Sequence, residues 1–350
     1  MESCIRGISI EAVSAAVPDR WLSLADQFGN TSDANRKIIK KFTKNTGVEG
    51  RFVSTYNQVN SDWCYAAAKK IIEDKKIDKN SIGVIVYVTQ TSDYRKPSTA
   101  TVLQYRLGIG EDCIAFDVNL GCSGYVCGLN IVGSIMMESK AQYGLLMCGE
   151  TASRDKIPTD SIEFNTGKLL FGDAGSATLL KKDIMAKNIN FMYKTDGSRY
   201  NALIAPWGFY RNPYKSADID ITDDIAVFNF STNEVPVLIN ELMGKMGCTA
   251  EDYDYLVLHQ SNKLIMSQIE KKTGFSSDKS IKAIDKFANT SSASIPVSLV
   301  EKLALVNNGV SHFMLCGYGI GLSWCAVDCY MNVDNVYPLI KTDEYYEDDY

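Results

Sequence analysis

The residues that decide the fold read Asp117-Val118-Asn119-Leu120-Gly121-Cys122-Ser123-Gly124-Tyr125-Val126-Cys127-Gly128-Leu129. The apolar run Cys113–Val118 is typical of a buried strand, and Tyr125–Met137 is typical of a helix with an apolar face. Cys122 is therefore predicted at the turn between a strand and a helix. Free backbone N–H groups and the helix dipole at such a turn stabilise a thiolate, which is the reactive form of cysteine.

The composition is that of an ordinary globular protein, because 45% of the 350 residues are hydrophobic and 22% are charged. The formal net charge of −6 argues against a general nucleic-acid binder, although a local basic patch can still bind an acidic partner. Residues 1–19 lack the pattern of a signal peptide, and no apolar run approaches the roughly 18 residues that cross a bilayer. We therefore expect a cytoplasmic protein without a membrane segment.

Ten cysteines are scattered along the chain, and none forms a Cys-x-x-Cys pair. This spacing argues against a zinc site, so we expect no metal and no cofactor. Several cysteines lie inside apolar runs, where cysteine is most simply a small buried hydrophobic side chain. Such usage fits a reducing compartment rather than a disulfide scaffold.

Eight strand-like runs fall into two sets of four. They are residues 84–89, 113–118, 145–150, 175–180, 255–260, 281–285, 312–317 and 322–327. Cys148 and Cys316 lie in similar pentapeptides 168 positions apart, and the same offset carries Cys122 to position 290, beside Asn289. Strands that alternate with helices predict βαβ units, in which chemistry gathers at the C-terminal ends of the strands. We predict an α/β fold built from two similar halves.

The predicted organisation has three parts. Residues 1–185 form an N-terminal half with the nucleophile, residues 186–338 form a C-terminal half with a histidine and an asparagine, and residues 339–350 form an acidic, solvated tail. Within the halves, residues 152–170 are interpreted as an insertion and residues 199–224 as an irregular loop.

Two residues downstream complete a plausible catalytic set with Cys122. His259 ends an apolar strand-like run and precedes an amphipathic helix, whereas His312 starts an apolar strand and is more simply structural. Asn289 lies in a polar stretch, where it equally suits a helix cap. Taken singly, each residue has a structural explanation as good as the functional one, and the set as a whole is the stronger signal.

The order Cys122, His259, Asn289 resembles the beta-ketoacyl-[acyl-carrier-protein] synthase III family, within the thiolase-like condensing enzymes. The resemblance extends over roughly Ile5 to Tyr330. The motifs that carry it are Thr46-Gly47-Val48 with Arg51, the turn at Cys122, Phe171-Gly172-Asp173-Ala174-Gly175-Ser176-Ala177, His259-Gln260-Ser261-Asn262, Asn289-Thr290-Ser291-Ser292-Ala293-Ser294-Ile295-Pro296 and Gly317-Tyr318-Gly319-Ile320-Gly321-Leu322-Ser323-Trp324.

This resemblance implies a thiolase-like, five-layered αβαβα fold, a homodimer and a two-step reaction. Cys122 would take an acyl group from an acyl-thioester substrate, on coenzyme A or on acyl carrier protein. Malonyl-acyl carrier protein would then lose carbon dioxide and attack that acyl group, with His259 and Asn289 as donors to the malonyl thioester oxygen. The backbone N–H groups of Cys122 and Ile320 would form the oxyanion hole of the acyl-enzyme step. Fatty-acid, specialised-metabolite or glycan synthesis would be the setting.

Three positions depart from the family pattern. Lys41 and Asn45 stand where many members hold the adenine of coenzyme A between a tryptophan and an arginine, which favours a carrier-protein donor. Lys96 replaces an aromatic residue that often closes the acyl pocket. A carrier-protein contact surface is only partly recognisable, on the helix after His259 at Lys263, Lys271 and Lys272.

Three other functions stay open at this point. One is transfer of an acyl group to an amine or a hydroxyl without condensation, and a second is a non-catalytic partner of another condensing subunit. A papain-like protease also has the order cysteine, histidine, asparagine, but the cysteine here lies far along the chain and lacks the surrounding protease signature.

Overall fold

A computed structural model describes residues 1–27, 32–153, 169–213 and 221–348. The strands in these residues are β1 (Glu2–Ile5), β2 (Ile8–Val17), β3 (Trp21–Ser23), β4 (Gly50–Phe52), β5 (Ile82–Val88), β6 (Ile114–Val118), β7 (Tyr143–Glu150), β8 (Ala174–Lys182), β9 (Ile189–Thr195), β10 (Leu203–Ile204), β11 (Ile221–Thr222), β12 (Tyr255–Leu258), β13 (Ser280–Ile281), β14 (Val310–Gly319), β15 (Ser323–Asn332) and β16 (Ile340–Lys341). The predicted insertion lies largely outside the described residues.

The helices in the same residues are α1 (Leu24–Gln27), α2 (Asp33–Thr46), α3 (Asn60–Asp74), α4 (Thr99–Leu107), α5 (Gly124–Glu138), α6 (Asp224–Met246), α7 (Lys263–Thr273), α8 (Ile284–Phe287) and α9 (Ser294–Leu303). None of the described helices is long and apolar enough to cross a membrane.

Two sheets of the same topology form the core. In the first, β2, β8, β7, β5 and β6 lie in that order, with β5 parallel to both of its neighbours and β8 antiparallel to both of its own. In the second, β9, β15, β14, β12 and β13 repeat that arrangement. The prediction of two similar halves is confirmed, since the strands that carry Cys148 and Cys316 occupy equivalent positions.

Helices separate and cover the two sheets. Helices α5 and α9 contact strands of both sheets, whereas α3 and α4 contact only the first sheet and α6 lies against β14 and β15 of the second. The order from one face to the other is helix, sheet, helix, sheet, helix, which confirms the predicted αβαβα layers. Strands β5 and β7 read as nearly continuous apolar runs because helices cover both of their faces.

The predicted elements differ from the observed ones in two places. The run 281–285 is only partly a strand, because β13 ends at Ile281 and the short helix α8 follows. The described residues of the segment 199–224, which are 199–213 and 221–224, are not entirely irregular as predicted, because they contain the strands β10 and β11, which pair with each other.

The acidic tail lies along the first half of the molecule although most of its residues are exposed. Strand β16 pairs with β2, and the Tyr346 N–H donates to the Asp62 carboxylate at 3.0 Å. The Arg106 guanidinium lies 4.5 Å from the centre of the Tyr346 ring and 4.6 Å from that of Tyr65. Described tail residues thus contact α3 and α4 rather than extending free into solvent.

Candidate active site

Cys122 lies between β6 and α5, as predicted. The loop that carries it has little room, because a Cβ at Gly121 would come within 2.3 Å of the Gln90 Oε1. On the other side, a Cβ at Gly319 would lie 2.7 Å from the Cys122 Cβ. Gly121 therefore lets the cysteine turn pass close to Gln90, and Gly319 lets the β14–β15 turn approach Cys122.

The Cys122 sulfur faces several donors in a half-buried position. Burial raises the pKa of this thiol to about 11, and the backbone N–H of Ile320, the Ser291 hydroxyl and the Cys122 N–H oppose that rise. The nearby Glu150 carboxylate adds to it. The resting residue is therefore a thiol at neutral pH, because the backbone donors at the turn lower its pKa by less than burial raises it.

Cys127, one helical turn further on, has a pKa that is shifted in the opposite direction. A hydrogen bond with the Cys325 thiol lowers its pKa, against the effect of burial, and Ser123 lowers it further. The side chain nevertheless packs against the main apolar core. A lowered pKa alone would point to Cys127 as the nucleophile, whereas the backbone donors around the Cys122 sulfur point to Cys122.

His259 follows β12 directly and is 1% exposed. Its Nδ1 lies 2.7 Å from the Ser294 Oγ, and the ring meets Tyr318 edge to face at 5.6 Å between centres. Burial lowers the pKa of this imidazole to about 3, opposed by the nearby Ser291 carbonyl. The ring is therefore neutral at physiological pH, with one donor and one acceptor nitrogen.

Asn289 follows α8 in a buried loop. Its Oδ1 accepts the Ser291 N–H at 2.8 Å, which leaves the Nδ2 group as the free end of the amide. Backbone hydrogen bonds from the Asn289 N–H to the Leu170 carbonyl at 2.8 Å and from the Gly172 N–H to the Asn289 carbonyl at 3.1 Å hold the loop. The amide orientation is thus fixed by backbone contacts rather than by a helix cap.

The motif around Asp173 supports the Asn289 loop. The Asp173 carboxylate accepts the N–H groups of Ser54 and Ser153, both at 2.8 Å. Gly172 packs so closely that a Cβ would lie 2.3 Å from the Phe287 carbonyl oxygen. The buried Arg51 donates to the Phe171 carbonyl at 2.9 Å. These residues, which the sequence supplies as family motifs, therefore have a structural role behind the site.

Ser291 brings the three predicted residues together. Its hydroxyl faces the Cys122 sulfur, its N–H binds the Asn289 side chain, and its carbonyl faces the His259 ring. Its φ of 49° lies in the left-handed region, which is uncommon for a serine. Sequence reasoning assigned no role to this member of the Asn289 motif, because only its backbone position in the fold reveals the contacts.

Glu150 is a second residue that sequence reasoning missed. It is 3% exposed at the end of β7, where it accepts hydrogen bonds from the Thr91 hydroxyl at 2.7 Å and the Gln90 N–H at 3.1 Å. Burial raises the pKa of this carboxyl to about 7, and these donors oppose the rise. The sequence does carry one signal for this residue, because an acidic side chain at the end of an apolar strand is unusual.

The lysines predicted to contact the carrier protein or the acyl pocket lie in different surroundings. Lys263 is exposed at the start of α7, whereas the Lys272 Nζ donates to the Thr232 carbonyl at 2.7 Å, at the far end of that helix beside Lys271. Lys96 is exposed, and Arg95 beside it lies 4.5 Å from the centre of the Tyr210 ring. In the described part of the chain, no cluster of three or more His, Cys, Asp or Glu residues could hold a metal ion.

Comparison with known proteins gives consistent matches. The family model "3-Oxoacyl-[acyl-carrier-protein (ACP)] synthase III" matches residues 116–197, and its C-terminal counterpart matches residues 243–329. A beta-ketoacyl-[acyl-carrier-protein] synthase III of Neisseria gonorrhoeae is 31% identical over 289 residues, covering 81% of this chain and 88% of the relative. One from Lactococcus lactis subsp. lactis is 30% identical over 330 residues, covering 90% and 96%.

A solved structure agrees with these relatives. The crystal structure of a 3-oxoacyl-(acyl-carrier protein) synthase from Burkholderia xenovorans LB400 matches with a TM-score of 0.90 and 29% identity. The match covers 98% of this chain and 99% of that one.

Proposed function

Because this chain belongs to the beta-ketoacyl-[acyl-carrier-protein] synthase III family, we propose that Cys122, His259 and Asn289 perform its acyl transfer and decarboxylative condensation. The convergence of these three residues on Ser291 carries the assignment. The family makes the chain a condensing acyltransferase, and the proposal concerns which atoms do the chemistry and which substrates they take.

In the first step, the Cys122 sulfur attacks the carbonyl carbon of an acyl thioester. The bond between that carbon and the donor sulfur breaks, and the departing thiol leaves with the proton that Cys122 gave up. The N–H groups of Cys122 and Ile320 stabilise the oxyanion that forms in between. Because the resting thiol is protonated, its proton transfer accompanies the attack.

In the second step, the bond between the α-carbon of the malonyl group and its carboxylate carbon breaks, and carbon dioxide leaves. The electron pair moves toward the malonyl thioester oxygen, where the neutral His259 Nε2–H and the Asn289 Nδ2–H donate hydrogen bonds. The resulting carbanion forms a bond to the acyl carbon on Cys122. The bond between that carbon and the Cys122 sulfur then breaks, and the sulfur takes a proton from solvent. Simple acyl transfer has no use for this second pair of donors, so the geometry favours condensation.

We propose acyl carrier protein as the donor and malonyl-acyl carrier protein as the extender. Lys41 and Asn45 are exposed and supply neither of the planar groups that would stack on an adenine. The exposed Lys96 remains a proposed contributor to the acyl pocket.

A homodimer is also proposed. Strand β6 lies at the end of its sheet and pairs only with β5 among the described residues. It is apolar in sequence, and its first residue, Ile114, is 49% exposed. An apolar strand edge of this kind pairs readily with a second copy, which would extend the sheet.

Intact-protein mass spectrometry with acyl-carrier-protein and acyl-coenzyme A donors tests the nucleophile. We expect an acyl adduct that maps to Cys122 and disappears in Cys122→Ala, whereas Cys127→Ala keeps at least about a tenth of the activity because Cys127 only packs in the core. An equal loss in both variants would contradict the assignment. Preference for coenzyme A over the carrier protein would overturn only the proposed donor.

A further inference from the structure

Helix α2 presents an unusual face to solvent. Lys37, Lys40, Lys41 and Lys44 are all exposed, and their spacing places them within about a third of the helix circumference. The opposite side carries Ile39 and Phe42, which pack against the second apolar core. We define these four lysines as the α2 lysine face.

Among the described residues, the lysines of this face make no ion pair, and the acidic residue Asp33 at the start of the helix pairs with Arg36 instead. Elsewhere in the described chain many lysines pair with carboxylates, as Lys75 does with Glu11 at 2.8 Å and Lys286 with Glu301 at 2.9 Å. None of the four makes an ion pair among the described residues, in a chain whose net charge is −6. Like charges at these helical spacings repel each other, and an acidic partner would remove that repulsion.

The C-terminal end of α2 lies against the helix that follows His259. Helix α2 is capped by Gly47, and a Cβ at that glycine would lie 3.1 Å from the Lys263 Cβ. Lys263 is exposed and begins α7, four residues after His259. Two exposed apolar side chains lie on the same two helices, Ile38 at 44% and Leu264 at 48%. The surface therefore combines positive charge with a little apolar area at the histidine side of the site.

We infer that the α2 lysine face, together with Lys263, is the docking surface for the acidic acyl carrier protein that delivers substrate to Cys122. This inference rests on the proposed function for its choice of partner. It leaves out Lys272, because the Lys272 ammonium is occupied by the Thr232 carbonyl and the Asn233 side chain. Complementary charge of this kind acts mainly on the association rate and depends strongly on salt.

The test measures binding of fluorescently labelled holo-acyl carrier protein to the full-length enzyme by anisotropy. The test variant changes the four lysines of α2 to glutamine. The control changes four exposed lysines that make no ion pair among the described residues, Lys69, Lys76, Lys79 and Lys140. Lys76, Lys79 and Lys140 precede β5 or β7, at the edge of the sheet opposite the strand ends that lead to Cys122. Both variants carry the same net charge, so total charge cannot explain a difference.

We expect the test variant to raise Kd at least about tenfold at 50 mM NaCl, with the difference shrinking to about two- or threefold at 300 mM because salt screens exposed charges. The control should stay within about twofold of the parent. Equal Kd values in the two variants, or no binding by the parent enzyme at 50 mM NaCl, would overturn the inference. Thermal melting followed by circular dichroism identifies a variant that fails to fold, and single Lys41→Gln and Lys44→Gln variants then provide the comparison.

A second readout separates this inference from the proposed function. Acylation of Cys122 by a small acyl-N-acetylcysteamine thioester needs no carrier protein, so it should be unchanged in the test variant. If the parent binds the carrier protein through the lysine face but Cys122 takes no acyl group, the proposed function fails and the inference stands. If acylation proceeds and the lysine face has no effect on binding, the inference fails alone.

Discussion

The two histidines of this chain are both buried, at 1% and 7% exposure, yet they lie in opposite chemical environments. His259 has a serine hydroxyl at 2.7 Å from Nδ1 and a pKa that burial lowers to about 3. His312 has the Asp252 carbonyl at 2.9 Å from Nδ1 and the Asp328 carboxylate at 2.7 Å from Nε2. Both of these partners accept hydrogen bonds, so each His312 nitrogen faces an acceptor, whereas the His259 Nδ1 faces a hydroxyl.

The difference shows that two buried histidines differ in role according to the groups that face their ring nitrogens. His312 is stacked between Tyr253 and Tyr330, each 4.1 Å away between ring centres. Burial acts to raise the pKa of Asp328, but hydrogen bonds from His312, Asn190 and Tyr253 outweigh it and hold that pKa below its usual value. His312 is therefore held in place by the Asp328 carboxylate and has a structural role, whereas His259 stays neutral and keeps a ring nitrogen for a substrate.

The largest expected effect is on stability, at the structural histidine. We predict that His312→Ala lowers the free energy of unfolding by about 3–5 kcal/mol, because it removes both the imidazole that contacts the buried Asp328 carboxylate and the ring stacked between Tyr253 and Tyr330. Urea unfolding monitored by fluorescence measures this free energy.

Because the folded pKa of Asp328 is depressed, the stabilisation by this pair is present above about pH 4 and is lost as the pH falls further. Lost activity with unchanged stability would contradict this role.

The next effect is on catalysis, at the other histidine. We predict that His259→Ala and Asn289→Ala each lower the condensation rate by about 10²- to 10³-fold, because each removes one donor to the malonyl thioester oxygen. Acylation of Cys122 should fall far less, since its oxyanion hole is made of backbone N–H groups. Single-turnover measurements of the two steps separate them. Parallel loss of acylation in both variants would contradict the division of roles.

A smaller effect is expected at the partner of His259. The Ser294 Oγ also lies 3.4 Å from the Gln260 N–H, which donates to it, so its own proton is available for the His259 Nδ1. We predict that Ser294→Ala lowers condensation by about 10- to 100-fold, because the tautomer with the proton on Nε2 is no longer favoured. Ser294→Thr should restore most of the rate.

A matched control lies one turn further along α9. Ser298 is equally buried, but its hydroxyl donates to the Ile295 carbonyl at 2.8 Å and does not contact the histidine. Ser298→Ala should leave condensation within about threefold of the parent, since it removes one local hydrogen bond. Equal losses at Ser294 and Ser298 would assign Ser294 to packing alone.

The last prediction is that the imidazole nitrogen signals of His259 do not change with pH. A protein with only two histidines gives two sets of imidazole nitrogen signals after ¹⁵N-histidine labelling. We predict that the His259 signals stay those of a neutral ring, protonated at Nε2, from pH 8 down to pH 5.5, because its pKa lies near 3. A proton on Nδ1, donated to the Ser294 oxygen, would contradict the tautomer. A midpoint near pH 6.5 would contradict the burial.

Much of this arrangement could be predicted from sequence, and the reasons are local. The strand, turn and helix around Cys122 follow from apolar periodicity, and the two similar halves follow from the spacing of Cys148 and Cys316. The protonation of Cys122 could not be predicted, because burial by distant segments outweighs the start of α5. The linking position of Ser291 and the contrast between the two histidines depend on residues far away in sequence, and no local pattern encodes them.

The most direct test of the whole account is a chase of the isolated acyl-enzyme. The enzyme is first acylated on Cys122 and then mixed with malonyl-acyl carrier protein that carries ¹³C in its free carboxylate. We predict that the adduct mass disappears from the protein while labelled carbon dioxide and a β-ketoacyl-carrier protein form in equal amounts. An adduct that persists in the presence of malonyl-acyl carrier protein, but is released by an amine or an alcohol, would contradict condensation as the role of this site.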